Sequence, residues 1–160
     1  MSQNQPTFEF LTGKAGSGKT YTLKQRITDT KKLGGRVRNY GTLCATTGIA
    51  ALNLSGGNGD TVTTLNSTLK YFDTNSLKDN FASRRLHNQL KEVARGGNNL
   101  IIDEISMMDA EQLDLIYDAV MEINELQEIY NKGGLGIILS GDFAQLPPVK
   151  AEFCFNAKCC

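Results

Sequence analysis

The chain has 160 residues, which is enough for one domain with a hydrophobic core of its own. Hydrophobic residues make up 40% and charged residues 21%, and no apolar run approaches the roughly 18 residues of a membrane helix, so the composition is that of a soluble globular protein. The net charge is zero, but Lys and Arg outnumber Asp and Glu by 14 to 6 up to Arg95 and are outnumbered 3 to 11 from Gly96 onward. The basic residues could bind phosphates or could lie on solvent-exposed helix faces, and charge alone leaves both interpretations open.

The cysteines and the N-terminal residues indicate the cellular compartment in which the protein is expected. Cys44 lies in an apolar stretch and is interpreted as a buried small hydrophobe. Cys154, Cys159 and Cys160 crowd the end of the chain without the paired spacing of a zinc site or a disulfide framework. Residues 1–5 are polar and carry no signal-peptide core. We therefore expect an intracellular protein, located in the cytosol, the nucleus or the cytosol of a viral host.

Three short apolar segments predict buried parallel strands, because they do not alternate between polar and apolar residues. They are residues 8–11, 100–102 and 135–139, and a fourth segment, 40–45, is less apolar but has a similar setting. Each is followed by a helix signal or a polar motif, which predicts an α/β fold of the P-loop type, with a parallel sheet and helices on both of its faces. Ligands of such sheets bind at the carboxyl ends of the strands.

The segment after the first predicted strand matches the phosphate-loop pattern G-x-x-x-x-G-K-[ST] in full. Glycines let the backbone turn tightly around phosphates with its N–H groups inward, and the helix N-terminus that follows favours an anion. Lys19 can reach the β- and γ-phosphates, and Thr20 can ligate Mg²⁺. The residues expected to hold the nucleotide in this loop are Gly13, Ala15, Gly16, Ser17, Gly18, Lys19 and Thr20. Residues 21–33 are compatible with the helix, with Gly34 as its stop.

Two carboxylates end the third predicted strand. Asp103 and Glu104 follow the apolar residues 100–102, which is the expected Walker B arrangement. Asp103 would hold Mg²⁺ through water, and Glu104 would polarise the attacking water. On its own, this pair would be interpreted as an acidic turn at the start of the next helix. The presence of a phosphate loop in the same chain favours the catalytic interpretation.

A long helix is predicted after this pair. Asp109 suits an N-cap and Gln112 falls at the capping-box position. Apolar residues recur at three- and four-residue steps, and Gly133 and Gly134 are expected to end the helix. These apolar residues are Leu113, Ile116, Val120, Ile123 and Leu126.

A polar amide follows the last predicted strand. Gln145 stands in the segment 141–148, where it can contact the γ-phosphate and respond to its loss. A plain strand-to-loop turn is the alternative, and the residues alone leave it open.

Taken together, these segments resemble the superfamily 1 helicases of the RecD/Dda/PIF type, and most closely the PIF-type 5′→3′ DNA helicases. The resembling segments are residues 13–20, 45–51, 101–109 and 141–149, in that order, and the tail 153–158 is also similar. The resemblance implies the first RecA-like motor domain of such a helicase over residues 1–160. It also implies ATP and Mg²⁺ as cofactors, single-stranded DNA as partner, and Gln145 as the γ-phosphate sensor beside the catalytic residues Lys19 and Glu104.

The resemblance also implies which residues contact the DNA strand. The residues matching its two DNA motifs are Thr46, Thr47 and Gly48, and Thr64, Asn66 and Ser67. Small hydroxyls and glycine suit contacts to phosphates that read no bases. Asn66 stands where the family usually has His, which puts that contact in doubt. Tyr71 and Phe72 are candidates for base stacking, with a place in the core as the alternative.

The resemblance further implies a second RecA-like domain, which we expect to be absent from this chain or supplied by a partner. That domain carries arginine fingers, each worth about 10³–10⁵ in rate in related enzymes. We therefore predict that the 160-residue chain binds nucleotide but hydrolyses it poorly and does not unwind DNA. The alternatives are another kind of P-loop enzyme and a non-catalytic module that uses nucleotide to dock a partner.

Overall fold

The computed structural model describes residues 6–12, 18–32, 40–55, 62–128 and 133–142. Its sheet contains five strands in the order β1-β5-β4-β2-β3, and all four pairings between neighbours are parallel. The strands are β1 (Phe8–Thr12), β2 (Thr42–Ala45), β3 (Thr63–Thr64), β4 (Asn99–Asp103) and β5 (Gly136–Gly141). The predicted α/β fold with a parallel sheet is confirmed.

Helices connect the strands. They are α1 (Lys19–Lys32), α2 (Gly48–Ser55), α3 (Leu65–Leu69), α4 (Thr74–Ala82), α5 (Arg85–Gly96) and α6 (Ala110–Glu125), with a single turn of 3-10 helix at Ile105–Met107. Within the described ranges, no helix combines the length and the apolar character needed to cross a membrane.

The helices cover both faces of the sheet, as predicted. Ile101 and Ile138 point to one face and pack with Leu23 of α1. Their chain neighbours point to the other face, where Ile102 and Leu139 join a larger core with α3, α4, α5 and α6. Because successive strand residues face opposite sides, this arrangement explains why residues 100–102 of β4 and 137–139 of β5 are all apolar.

The sequence analysis predicted neither the strand β3 nor the helices α2, α3, α4 and α5. β3 has two residues, too few for any pattern. The buried residues of α5 recur at helical spacing, and this signal was available in the sequence. They are Leu86, His87, Leu90, Val93 and Ala94.

The predicted start of α6 is confirmed, because the Asp109 carboxylate accepts from the amides of Glu111 and Gln112 at 2.8 and 3.2 Å. Gln112 does not complete a capping box. Its Nε2 donates to Thr74 Oγ1 at 3.0 Å, and its Oε1 accepts from the Tyr71 hydroxyl at 3.3 Å. The side chain therefore ties α6 to α4 and to the chain before it.

The predicted end of α6 is wrong. The helix ends at Glu125, because Gln127 adopts a left-handed conformation with φ of 52°. The Gln127 amide donates to the Asn124 carbonyl at 3.2 Å and the Glu128 amide to the Ile123 carbonyl at 3.0 Å, which satisfies two carbonyls of the last helical turn. Leu126, expected on the apolar face, is 60% exposed.

Candidate functional site

The strand register brings the carboxyl ends of all five strands to one edge of the sheet. Thr12 of β1 pairs with Gly141 of β5, while Ala45 of β2 pairs with both Asp103 of β4 and Thr64 of β3. The phosphate loop, the acidic pair and both segments assigned to DNA contact leave the sheet at this edge. The sequence motifs therefore converge on one region of the surface, as the parallel topology requires.

The phosphate loop is described in part. Gly18 has φ of 88°, and its carbonyl accepts from the Thr22 amide at 2.9 Å and the Thr22 hydroxyl at 3.0 Å. This positive φ suits glycine, and α1 begins at the next residue. Lys19 and Thr20 lie in the first turn of α1, where the structure describes their backbone. The remaining predicted nucleotide contacts, Gly13, Ala15, Gly16, Ser17 and Gln145, lie outside the described residues.

The acidic pair has one buried and one exposed member. Asp103 is 1% exposed, and its Oδ1 accepts from the Glu104 amide at 2.9 Å. Glu104 is exposed at the edge of the sheet, immediately after β4. A carboxylate at the end of a buried strand suits a metal ligand, and an exposed one beside it suits contact with a water molecule.

The backbone of Glu104 has a strained conformation that hydrogen bonds stabilise. Its φ and ψ are 56° and 50°, a left-handed conformation that costs a residue other than glycine about 1–2 kcal/mol. The Glu104 carbonyl accepts from the Met107 amide at 3.1 Å and from Thr46 Oγ1 at 3.2 Å. Such strain persists where the surroundings fix it, and it concentrates at functional sites. Nothing in the sequence signalled this conformation.

The segment after β2 leads into α2, whose N-terminus lies at the same edge of the sheet. Thr47 caps the helix, because its Oγ1 accepts from the Ala50 amide at 3.1 Å and its carbonyl accepts from the Ala51 amide at 3.0 Å. Gly48 is exposed, and a Cβ added there would meet nothing within 4 Å. The N-terminus of α2 is therefore open to an approaching anion.

The second predicted DNA segment lies beside the first. Thr64 ends β3 and caps α3, accepting from the Ser67 amide at 3.2 Å, and its hydroxyl donates to Ser67 Oγ at 2.9 Å. Ser67 is exposed and Asn66 is half-buried. Since β3 pairs with β2, the two segments leave neighbouring strands.

The two aromatic candidates for base stacking differ in solvent exposure. Tyr71 is 4% exposed and belongs to the core, and burial raises the pKa of its hydroxyl to about 12. Phe72 is 92% exposed. Of the pair, Phe72 alone can offer a ring face to a base.

Gly141 at the end of β5 packs against the acidic loop. A Cβ added there would lie 2.8 Å from Ile105 Cγ2 and 3.2 Å from the Ile105 amide nitrogen. Ile105 is fully buried and follows Glu104, so any larger residue at 141 pushes directly on the loop.

We expect Gly141→Ala to destabilise the protein by about 1–3 kcal/mol, because the rigid neighbours leave no room for the methyl group. Urea unfolding followed by circular dichroism measures this change. Gly96→Ala is the matched control, since a Cβ at that helical glycine meets nothing within 4 Å and should stabilise the protein slightly. Equal unfolding midpoints for wild type and Gly141→Ala would contradict the close packing of Gly141 against Ile105.

Comparison with known proteins gives one family. Residues 1–155 match the family of PIF1-like helicases. The ATP-dependent DNA helicase Pif1 of Psychrobacter sp. (strain PRwf-1) is 37% identical over 145 residues, covering 88% of this chain and 20% of that protein. The ATP-dependent DNA helicase PIF1 of Homo sapiens is 33% identical over 158 residues, covering 93% of this chain and 22% of that protein.

Solved structures agree. Bacteroides Pif1 bound to single-stranded DNA matches with a TM-score of 0.54 and 30% identity, over 94% of this chain and 32% of that chain. The Bacteroides Pif1 helicase in complex with ADP-AlF3 and single-stranded DNA matches with a TM-score of 0.53 and 32% identity, over 99% of this chain and 33% of that chain. The chain thus spans about a fifth of the length of these two curated relatives and about a third of these solved chains. With its motifs in order and its sheet of the same fold, the chain belongs to the family of PIF1-like helicases.

Proposed function

We propose that the chain is the first motor domain of an ATP-dependent DNA helicase, which couples ATP hydrolysis to 5′→3′ movement on single-stranded DNA. The observation that carries this proposal is the strand register. It sets the phosphate loop after β1 and the acidic pair after β4 on either side of β5, and the two DNA segments after β2 and β3 beside them. The register supports a nucleotide site and a strand-binding site that share one edge of the sheet.

The proposed chemistry is transfer of the γ-phosphoryl group of ATP to water. The backbone of the phosphate loop and Lys19 hold the phosphates, and Gln145 contacts the γ-phosphate. Asp103 and Thr20 carry the oxygen ligands that Mg²⁺ prefers, and the ion would neutralise charge on the β- and γ-phosphates. Glu104 orients the attacking water with its exposed carboxylate. The contribution of the protein is positioning and electrostatics.

The proposed DNA contacts are to the strand backbone. Thr47 accepts the Ala50 amide with its hydroxyl oxygen, which leaves the hydroxyl proton to donate to a phosphate. Gly48 allows close approach at the N-terminus of α2. Ser67 offers a further hydroxyl proton from the first turn of α3, where Thr64 orients it by donating to Ser67 Oγ at 2.9 Å, and Asn66 lies between the two residues. These groups position a strand without reading its bases.

We propose that a second RecA-like domain, on the same polypeptide or from a partner, completes the motor. The 160-residue chain alone should then bind Mg·ATP and single-stranded DNA, hydrolyse ATP slowly and separate no duplex. Strand-separation assays on a duplex with a 5′ single-stranded tail test this proposal, with anisotropy of a labelled oligonucleotide to confirm binding. Efficient unwinding by the chain alone, or failure to bind DNA, would contradict it.

We expect Phe72→Ala to weaken the affinity for single-stranded DNA by about tenfold, because loss of one base–aromatic stack costs about 1–3 kcal/mol. Anisotropy titration with an oligothymidine measures the effect. Tyr71→Phe is the matched control, since it removes a hydroxyl that bonds Gln112 within the core. Unchanged affinity in Phe72→Ala would remove Phe72 from the DNA site.

A further inference from the structure

The hydroxyl of Thr46 joins the two halves of the proposed site. Thr46 follows β2, at the start of the first DNA segment, and its Oγ1 donates to the main-chain carbonyl of Glu104 at 3.2 Å. The pairing of Ala45 with Asp103 sets the two segments side by side, so the contact follows from the sheet register. It bridges residues 58 positions apart in the sequence.

This bond is the weakest of the three that hold the Glu104 main chain. The Glu104 amide donates to the Asp103 carboxylate at 2.9 Å, a charge-assisted bond, and the Met107 amide closes a tight turn onto the Glu104 carbonyl at 3.1 Å. Hydroxyl bonds have a usual length of about 2.7–2.8 Å, so 3.2 Å marks a bond that yields easily. It nevertheless helps to hold a strained left-handed conformation.

A threonine hydroxyl has one proton to donate. A DNA phosphate and the Glu104 carbonyl therefore compete for the proton of Thr46. The phosphate is the stronger acceptor, because hydrogen bonds to ionised groups are roughly twice as strong as neutral ones. If the strand backbone lies along the start of α2, the bond to Glu104 is the one that breaks.

We propose that Thr46 is a positioning residue whose hydroxyl passes from the Glu104 carbonyl to a phosphate of bound single-stranded DNA, and that this exchange loosens the Glu104 main chain for catalysis. The inference rests on the proposed function and specifies how its two ligands communicate. Without DNA, the Glu104 peptide is restrained and turnover is slow. With DNA, the strained peptide loses one of its three restraints, and its carboxylate moves more easily toward the attacking water.

The first test is the carbonyl carbon chemical shift of Glu104, measured by NMR on the 160-residue chain with and without saturating oligothymidine. Thr46→Val removes the hydroxyl and keeps the shape, whereas Thr46→Ser keeps the hydroxyl. Thr63→Val is the matched control, because the Thr63 hydroxyl bonds Thr68 at 2.8 Å. DNA should shift the Glu104 carbonyl signal in wild type, Thr46→Ser and Thr63→Val. Thr46→Val without DNA should already show the shifted signal.

Two NMR results would overturn the exchange. One is an unmoved Glu104 carbonyl signal in wild type saturated with DNA. The other is a DNA-induced shift in Thr46→Val as large as in wild type. If anisotropy shows that wild type binds no DNA, the proposed function fails and the exchange falls with it. If DNA binds and the Glu104 carbonyl signal does not move, the proposed exchange of the Thr46 hydrogen bond is refuted and the proposed function is not. This readout does not depend on catalysis.

The second test is ATP turnover. Thr46→Val should raise turnover without DNA and lower the fold stimulation by DNA about three- to tenfold, the factor for one net hydrogen bond. Thr46→Ser should restore the wild-type stimulation. A merely structural threonine would not show this rise in DNA-free turnover. Stimulation by DNA that survives intact in Thr46→Val would contradict the exchange.

Discussion

Glu104→Gln is expected to lower ATP turnover by about 10²–10⁴-fold, the usual contribution of a positioned general base, while leaving Mg·ATP affinity nearly unchanged. The amide keeps the size of the side chain and the main-chain bonds to Asp103, Met107 and Thr46. It loses the negative charge that polarises water. Steady-state phosphate release measures the turnover, and titration with a fluorescent ATP analogue measures the affinity.

The control for this substitution is Glu125→Gln, which makes the same change on an exposed glutamate at the end of α6. It should turn over ATP at the wild-type rate. Both variants should unfold at the wild-type urea concentration, because both side chains are exposed. Turnover by Glu104→Gln at the wild-type rate would refute the catalytic role of Glu104 and favour a non-catalytic nucleotide-binding module.

Lys19→Ala is expected to weaken Mg·ATP binding by about 100-fold or more. Removal of one partner from a desolvated charge pair costs about 3–5 kcal/mol, because the phosphate charge is left unpaired. Lys19 opens α1 directly after Gly18, so its position in the phosphate loop follows from the backbone. Isothermal titration calorimetry with a non-hydrolysable ATP analogue and Mg²⁺ measures the loss.

Lys78→Ala provides the matched control. Lys78 lies on α4, where its ammonium pairs with Glu111 at 2.6 Å on a half-exposed surface. Its removal should leave the nucleotide affinity unchanged. Equal nucleotide affinity in Lys19→Ala and wild type would place the nucleotide elsewhere.

The elements that could be predicted from sequence are those whose signal is local. Strands β4 and β5 each contain three consecutive apolar residues, 100–102 and 137–139, and both faces of the sheet are indeed covered. The start of α6 depends on a side-chain cap by Asp109, which lies within three residues of the amides it bonds. The convergence of the motifs follows from parallel topology alone.

Other features depend on contacts between distant segments. The end of α6 is set by a left-handed Gln127, a residue type with no preference for that conformation. Tyr71 and Phe72 are adjacent aromatics, and the partner that distinguishes them, Gln112, lies 41 residues beyond Tyr71. The bond from Thr46 to the Glu104 carbonyl likewise exists because β2 and β4 pair. The residue pattern of a short sequence segment does not indicate such contacts with distant segments.

We propose that one edge of this sheet hydrolyses ATP under the control of single-stranded DNA. The most direct test is ATP turnover by the purified chain with and without an oligothymidine, beside Lys19→Ala and Glu104→Gln. We expect slow turnover that DNA raises and that both substitutions abolish. Tight Mg·ATP binding lost in Lys19→Ala, with no turnover at any DNA concentration, would contradict it and identify a nucleotide-binding domain without catalysis of its own.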